Sequence, residues 1–196
     1  MPLGIAPEGG LMDDIRQELR AVRDHQQIAS CLYRYSRGID RCDVEIVESC
    51  FHPDAVQDTG FYVGSPRGWA EMVNEFHRNE ALSQQHHVTN HVIEVDGDVA
   101  HVESYYWATV RQRNGTTKLV GGRWIDRFEH RDDEWRIAVR VSTTETIVDV
   151  ETADMAVADS RYVPWSRDPS DLSYERPLQP LRASVKDPYR VERSED

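Results

Sequence analysis

A switch in hydrophobic period near residue 85 constrains this chain more than any other feature. Before it, Ile15, Leu19, Val22, Ile28, Leu32, Tyr35 and Ile39 recur at three- and four-residue steps, the stripe of an amphipathic helix. After it, the stretches 88–95, 99–113, 118–129 and 135–148 are dense in β-branched and aromatic residues. They are separated by Asp96-Gly97, Asn114-Gly115 and Arg131-Asp132-Asp133, turn formers of the kind that close tight hairpins. Helices followed by a long antiparallel meander predict an α+β fold. Strands of ten or more residues exceed the usual length, so they must curl and enclose a concave face with the helices.

The helical half divides further. The first helix is expected from Asp13, with Asp13 and Asp14 at its positive pole, and Gly38 weakens its last turn. A short helix over Val44 to Cys50 follows, His52-Pro53-Asp54 breaks it, and Ala55 to Asp58 reads as a short strand. Ser65 then caps a third helix with Pro66 in its first position, and Trp69, Met72, Val73 and Phe76 form its apolar stripe. Three regions result: a loose Gly/Pro-rich 1–12, one α+β domain over 13–150, and an extension over 151–196. That extension holds Pro164, Pro169, Pro177, Pro180 and Pro188 with Tyr162, Trp165, Tyr174 and Tyr189. So many aromatics are rare in a solvated tail, and part of it is expected to pack on the body or on a neighbouring subunit.

Charge narrows the partners. The formal net charge is −12, which repels phosphate backbones and anionic lipid and argues against nucleic-acid binding. No apolar run is long enough to cross a bilayer, and the N-terminal residues lack the basic and apolar regions of a signal peptide. The three cysteines, Cys31, Cys42 and Cys50, form no CxxC pair and read as reduced thiols of a cytoplasmic protein.

Two-residue turns at Asp96-Gly97 and Asn114-Gly115 would set His86, Val88 and Asn90 opposite Trp107, Tyr105 and Glu103. Gly122, Trp124, Asp126 and Phe128 join that face from the next strand. Large aromatics with a few polar groups make a small-molecule pocket or simply fill the space beneath the helices. The His86-His87-Val88-Thr89-Asn90-His91 patch lacks zinc-site spacing, and no metal is expected. No glycine-rich phosphate loop or nucleophile elbow is present, so no cofactor is expected either. Asp40 ends the first helix, where a carboxylate faces the negative pole; it is either a surface residue or a buried group that orients a histidine. Arg140 is either solvated or a pocket cation able to stabilise developing negative charge.

These residues carry a resemblance. Tyr33-Arg-Tyr35-Ser-Arg-Gly-Ile-Asp40-Arg-Cys-Asp43 and Phe51-His-Pro-Asp54-Ala-Val56 resemble the opening of SnoaL-like proteins of the nuclear transport factor 2-like superfamily. His86-His-Val-Thr-Asn90, Val95-Asp-Gly-Asp98-Val-Ala100, Gly121-Gly-Arg-Trp124-Ile-Asp126-Arg-Phe128 and Trp135-Arg-Ile-Ala-Val-Arg140 are similar to the same family in the same order. The likeness covers about residues 20 to 148 and implies a cone-shaped α+β barrel with a deep pocket. It points to the branch holding scytalone dehydratase, bile acid 7α-dehydratase and hexachlorocyclohexane dehydrochlorinase, which work without cofactor through an Asp–His pair. By that likeness the histidine is His86, with His87 as the alternative, and the aspartate is Asp40. Tyr35 and Arg140 take the assisting positions; the expected register, for its part, makes Tyr105, Trp107 and Trp124 the apolar wall of the site, with Asn90 and His87 also meeting the substrate. The implied activity is a lyase, a dehydratase or a retro-aldol C–C lyase, acting on a hydrophobic cyclic or aromatic molecule. An isomerase or cyclase, or a non-catalytic binding or dioxygenase-type partner subunit, are the rivals, because fold alone does not decide chemistry. The long curved sheet implies a homo-oligomer, a trimer ahead of a dimer.

Overall fold

The computed structural model describes residues 8–151, 163 and 165–179. Tyr162, Pro164, Pro180, Pro188 and Tyr189 of the extension therefore lie outside the described residues. Three helices, α1 (Glu8–Asp40), α2 (Val44–Glu48) and α3 (Pro66–Glu80), pack on one face of a six-stranded sheet. The strands are β1 (Phe51–Asp58), β2 (Val63–Gly64), β3 (Ala81–Asp96), β4 (Val99–Gln112), β5 (Thr116–Arg131) and β6 (Glu134–Glu151). Their order is β2-β1-β6-β5-β4-β3; β1 runs parallel to β6 and the other pairs are antiparallel. The sheet curls around the helices without closing, an α+β cone. Ile28, Leu32, Ile39, Phe128 and Ile137 are among the residues sealed between the layers.

Local chemistry explains the helix ends. Ser65 accepts the Gly68 N–H at 3.2 Å with Pro66 next in line, and Asp43 caps α2 through the Ile46 N–H at 3.0 Å. The first helix starts at Glu8 rather than Asp13 and takes in Gly9 and Gly10. Its first turns stand clear of the body, with Leu11, Ile15, Leu19 and Val22 exposed. The strand expected over 55–58 begins earlier, at Phe51, so Pro53 lies inside β1 and not in a break before it. This proline lacks the N–H a ladder needs, and there the register against β6 slips, from Phe51↔Ile137 to Val56↔Val139.

The turns exist where expected, but their frames differ. The first hairpin turns on Gly97-Asp98, with Gly97 at φ 60 and Asp96 paired to Val99. Positive φ at the first central residue alone is the type II′ pattern. A bulge then falls at Asn90, which takes φ 49. The second turn spans three residues, Arg113–Gly115, and pairs Arg111 with Thr117. Because strand side chains alternate, a one-residue slip exchanges faces. Hence His86 pairs with Ala108 and His87 with Trp107, and β4 turns Ser104, Tyr106 and Ala108 inward instead of Tyr105 and Trp107. The second slip restores the expected inward set on β5, namely Gly122, Trp124, Asp126 and Phe128.

Candidate active site

A cavity of about 240 Å³ opens between α1, α3 and the inner face of the sheet. Its floor is aromatic: Trp124 stacks on Tyr106 at 5.0 Å between centroids and meets Tyr35 edge-on at 5.0 Å. Trp69, Val73 and Phe76 of α3 form one wall, and Phe61, from the loop before β2, stands at the mouth. An apolar enclosure with few polar groups is the usual make-up of a small-molecule site.

His86 lines this cavity, and Asp40 holds it from outside the lining. Asp40 ends α1, where the helix dipole opposes a carboxylate by about 0.3–1 kcal/mol. Two donors outweigh that cost: His86 Nδ1 lies 2.7 Å from Asp40 Oδ1, and the His86 backbone N–H donates to Oδ2 at 2.9 Å. Hydrogen bonds to a charged group contribute about 1.5–3 kcal/mol each. Holding both ring and backbone of one residue fixes the imidazole's orientation, with Nδ1 turned to the carboxyl and Nε2 away from it. Both side chains are largely but not fully covered, at 13% and 15% exposure.

Tyr35 lines the cavity one and a half turns earlier on α1. Its hydroxyl oxygen accepts from Gln57 Nε2 and Trp69 Nε1, each at 3.1 Å, which leaves its own O–H to donate. Arg140 is placed differently from the sequence expectation. It is fully buried beneath the floor, outside the cavity lining. It makes a two-bond fork to Asp126, both bonds 2.7 Å, and lies under Tyr35 (4.1 Å) and Trp124 (4.4 Å). Burial works against its charge, yet the Asp126 carboxylate outweighs burial and holds the guanidinium above its ordinary value. Arg140 thus supports the two rings from below and does not face the cavity.

Four other expected positions also lie elsewhere. Tyr105 and Trp107 are 42% and 46% exposed on the outer face of the sheet, for the register reason given above. His87 is exposed on that face beside Trp107, and Asn90 is exposed at the β3 bulge. Trp124 is in the cavity as expected.

The structure adds lining residues that the sequence reading left out. His77, on α3, is 6% exposed and lines the cavity with His86. Burial first, then the nearby His86 and Arg167, push it down to about 4, so it is neutral. It follows the Trp69–Val73 stripe by a further four residues, a helical signal that could have found it. Tyr106 entered through the register change, and burial raises its phenol. Ser142 and Thr144 of β6 supply hydroxyls at the far end. Among the described residues no group of three or more His, Cys, Asp or Glu is placed to hold a metal ion. No helix among them is long and apolar enough to cross a membrane.

The SnoaL-like domain profile matches residues 20–141. The chain belongs to the SnoaL-like domain family. Solved structures with the same nuclear transport factor 2-like cone include a scytalone dehydratase homologue from Novosphingobium aromaticivorans, with 19% identity, TM-score 0.60, and 68% of this chain and 91% of that one covered. A LinA-type3 hexachlorocyclohexane dehydrochlorinase from Novosphingobium barchaimii shares 18% identity at TM-score 0.58, over 75% of this chain and 97% of that one. A Mycobacterium tuberculosis protein of unknown function shares 26% identity at TM-score 0.57, over 74% and 84%. No functionally curated protein matches the sequence. In the SnoaL-like domain described here, Asp40, His86, Tyr35, Trp124 and Arg140 all fall within the matched span, whereas the segment 165–179 lies beyond it.

Proposed function

We propose that this SnoaL-like domain is a cofactor-independent lyase acting on a small hydrophobic cyclic or aromatic molecule. The observation that carries the reading is the double hold of Asp40 on His86, at 2.7 and 2.9 Å, with the ring in an aromatic-walled cavity. His86 Nε2 accepts a proton from a carbon or hydroxyl of the substrate, and Asp40 stabilises the imidazolium that forms. In dehydration the C–H pair forms C=C as the C–O pair leaves on oxygen, which takes the proton back from His86 and departs as water. In C–C cleavage the O–H pair forms the aldehyde C=O as the C–C pair passes onto an adjacent carbonyl of the substrate as an enolate, which His86 reprotonates. The Tyr35 O–H donates to the departing oxygen or to the oxyanion that develops. Loss of water is the leading outcome, and C–C cleavage with release of an aldehyde uses the same base. Size supports one- or two-ring substrates: an apolar cavity of about 150 Å³ already admits benzene, and this one is about 240 Å³. Neighbours named for dehydratase and dehydrochlorinase activity share the cone and support the elimination class.

The test is a mass-resolved assay of wild type, His86→Ala and Asp40→Asn against cyclic and aromatic hydroxy compounds, with and without chelator. Loss of water or of an aldehyde, insensitive to chelator and reduced by about 10²–10⁴-fold in both variants, is expected from removal of a general base and its partner. A fully active Asp40→Asn enzyme would sink the pair as the reacting base. A product of unchanged mass would move the assignment to an isomerase.

A further inference from the structure

We infer that Arg167, in the segment beyond the family domain, is a positioning residue for the Asp40–His86 pair and acts through Gln84. The inference rests on the reading of that pair as the reacting base.

Gln84 precedes His86 by two residues on β3, so both side chains leave the strand on the same face. It is 3% exposed. Its Nε2 donates to the carbonyls of Ile39 at 3.2 Å and Asp40 at 3.3 Å and reaches Cys42 Sγ at 3.4 Å. Carbonyls in the last turn of a helix lack an intrahelical partner, and here one amide ties that turn to the strand carrying His86. An amide has two ends, however. Turned over, Gln84 would aim its oxygen at the same carbonyls and repel them.

Arg167 decides which end faces α1. Its Nη1 donates to Gln84 Oε1 at 3.1 Å and to His77 O at 2.8 Å, and its Nη2 to Ala81 O at 3.2 Å. One planar cation thereby joins the last turn of α3, the first residue of β3 and the oxygen end of Gln84, a geometry lysine cannot reproduce. The segment holding Arg167 is itself anchored around Asp40. Asp171 is 6% exposed and accepts the backbone N–H groups of Ser166 and Ser173 at 2.9 and 3.0 Å. Burial raises its carboxyl, but those bonds and Arg41, 3.4 Å away, more than offset burial and bring it down to about 2. Arg37 lies over the Tyr174 ring at 4.7 Å, and the Tyr174 hydroxyl donates to Asp43 at 3.4 Å. Arg37, Arg41 and Asp43 flank Asp40, so the segment grips the helix end from which that carboxylate projects.

The experiment compares the full-length wild type, Arg167→Ala, Arg167→Lys, Gln84→Met and the Arg167→Ala/Gln84→Met double variant, with exposed Arg176→Ala as control. Crystal structures are determined for each, and turnover is measured on the compound of the cyclic and aromatic hydroxy panel that the wild type converts. Removing the hold is expected to lower kcat by the order of 10²-fold, the cost of a misplaced reacting group, with KM little changed. The double variant should lose no more than either single one, because both act on one path. Arg167→Lys should recover part of the loss, and Arg176→Ala should match wild type. In the Arg167→Ala structure the Asp40–His86 contact should open from 2.7 Å past about 3.5 Å. A retained contact with wild-type kcat, or losses that add in the double variant, would overturn the assignment. If Arg167→Ala does not fold, Gln84→Met carries the same test, since it keeps the side chain's length and removes the amide. If His86→Ala is itself fully active, the base reading fails separately, and the Asp40–His86 distances alone judge the positioning role.

Discussion

Arg140 and Asp126 show how one buried pair can serve a cavity it does not line. Both side chains are wholly enclosed, and leaving either without the other would strand a buried charge at a cost of about 3–5 kcal/mol. Their fork keeps the guanidinium flat beneath Tyr35 and Trp124, so the floor of the cavity rests on a cation–π support. His77 makes the opposite bargain and stays neutral. Its ordinary value of 6.5 is lowered to about 4 by burial, His86 and Arg167. Between those two values the unfolded chain takes up a proton that the folded chain refuses, so stability falls as pH drops through that window. The loss approaches about 3 kcal/mol once the pH reaches the folded value. Thermal denaturation at pH 7 and pH 4.5 should therefore show a larger loss of Tm in wild type than in His77→Gln. Equal losses would mean that His77 protonates freely in the native cavity. Asp40 and Trp124 were readable from spacing and resemblance, whereas His77 was passed over although it continues the α3 stripe. The inward aim of His86 survived only because two register slips cancel further along the sheet.

Among the elements, the pair β5–β6 sets the depth of the cavity. The register between them shifts at Gly121/Gly122, and that bulge bends both strands around the floor. Glycine is required at the second position: a Cβ on Gly122 would lie 2.0 Å from the Thr143 carbonyl oxygen and 3.0 Å from the Tyr106 hydroxyl. That carbonyl already accepts the Tyr106 O–H at 3.1 Å, so it cannot retreat without releasing the ring stacked on Trp124. Gly122→Ala should destabilise the fold by about 1–3 kcal/mol, the usual cost of overpacking. Differential scanning calorimetry should register a Tm lower by several degrees; an unchanged Tm would show that the strands part there without penalty. Adjacent glycines within a strand favour a bend or bulge there. Which of the two admits no side chain depended on where the partner strand bulged.

For the whole molecule, the outer face of the sheet stands out. Tyr105, Trp107, Ile125 and Val141 are each at least 40% exposed there, on the adjacent strands β4, β5 and β6. They surround the Glu103–Arg123–Glu145 ion-pair network on the same face, and we propose that copies of the chain associate through this mixed surface. A homo-oligomer is the outcome to expect in solution, a trimer ahead of a dimer. Light scattering should give a multiple of the single-chain mass for wild type and a smaller species for Trp107→Glu. A wild type that scatters as one chain would remove the expectation.

The amino-acid sequence alone determined the kind and approximate place of the three helices and of every strand but the short β2, because hydrophobic period, caps and turn formers act over a few residues. It also brought Asp40, Tyr35 and His86 to attention. Tertiary structure decided the strand registers, and with them the faces. An Asp-Gly or Asn-Gly pair specifies that the chain turns but not in which frame, and with a side-chain period of two a single residue moves a whole strand from core to surface. Burying Ser104, Tyr106 and Ala108 beneath the helices selected the frame, and it put Tyr105 and Trp107 outside. Long-range bonds decided the rest: the Asp126 fork that withdraws Arg140, and the return of Arg167 to Gln84 across 83 residues.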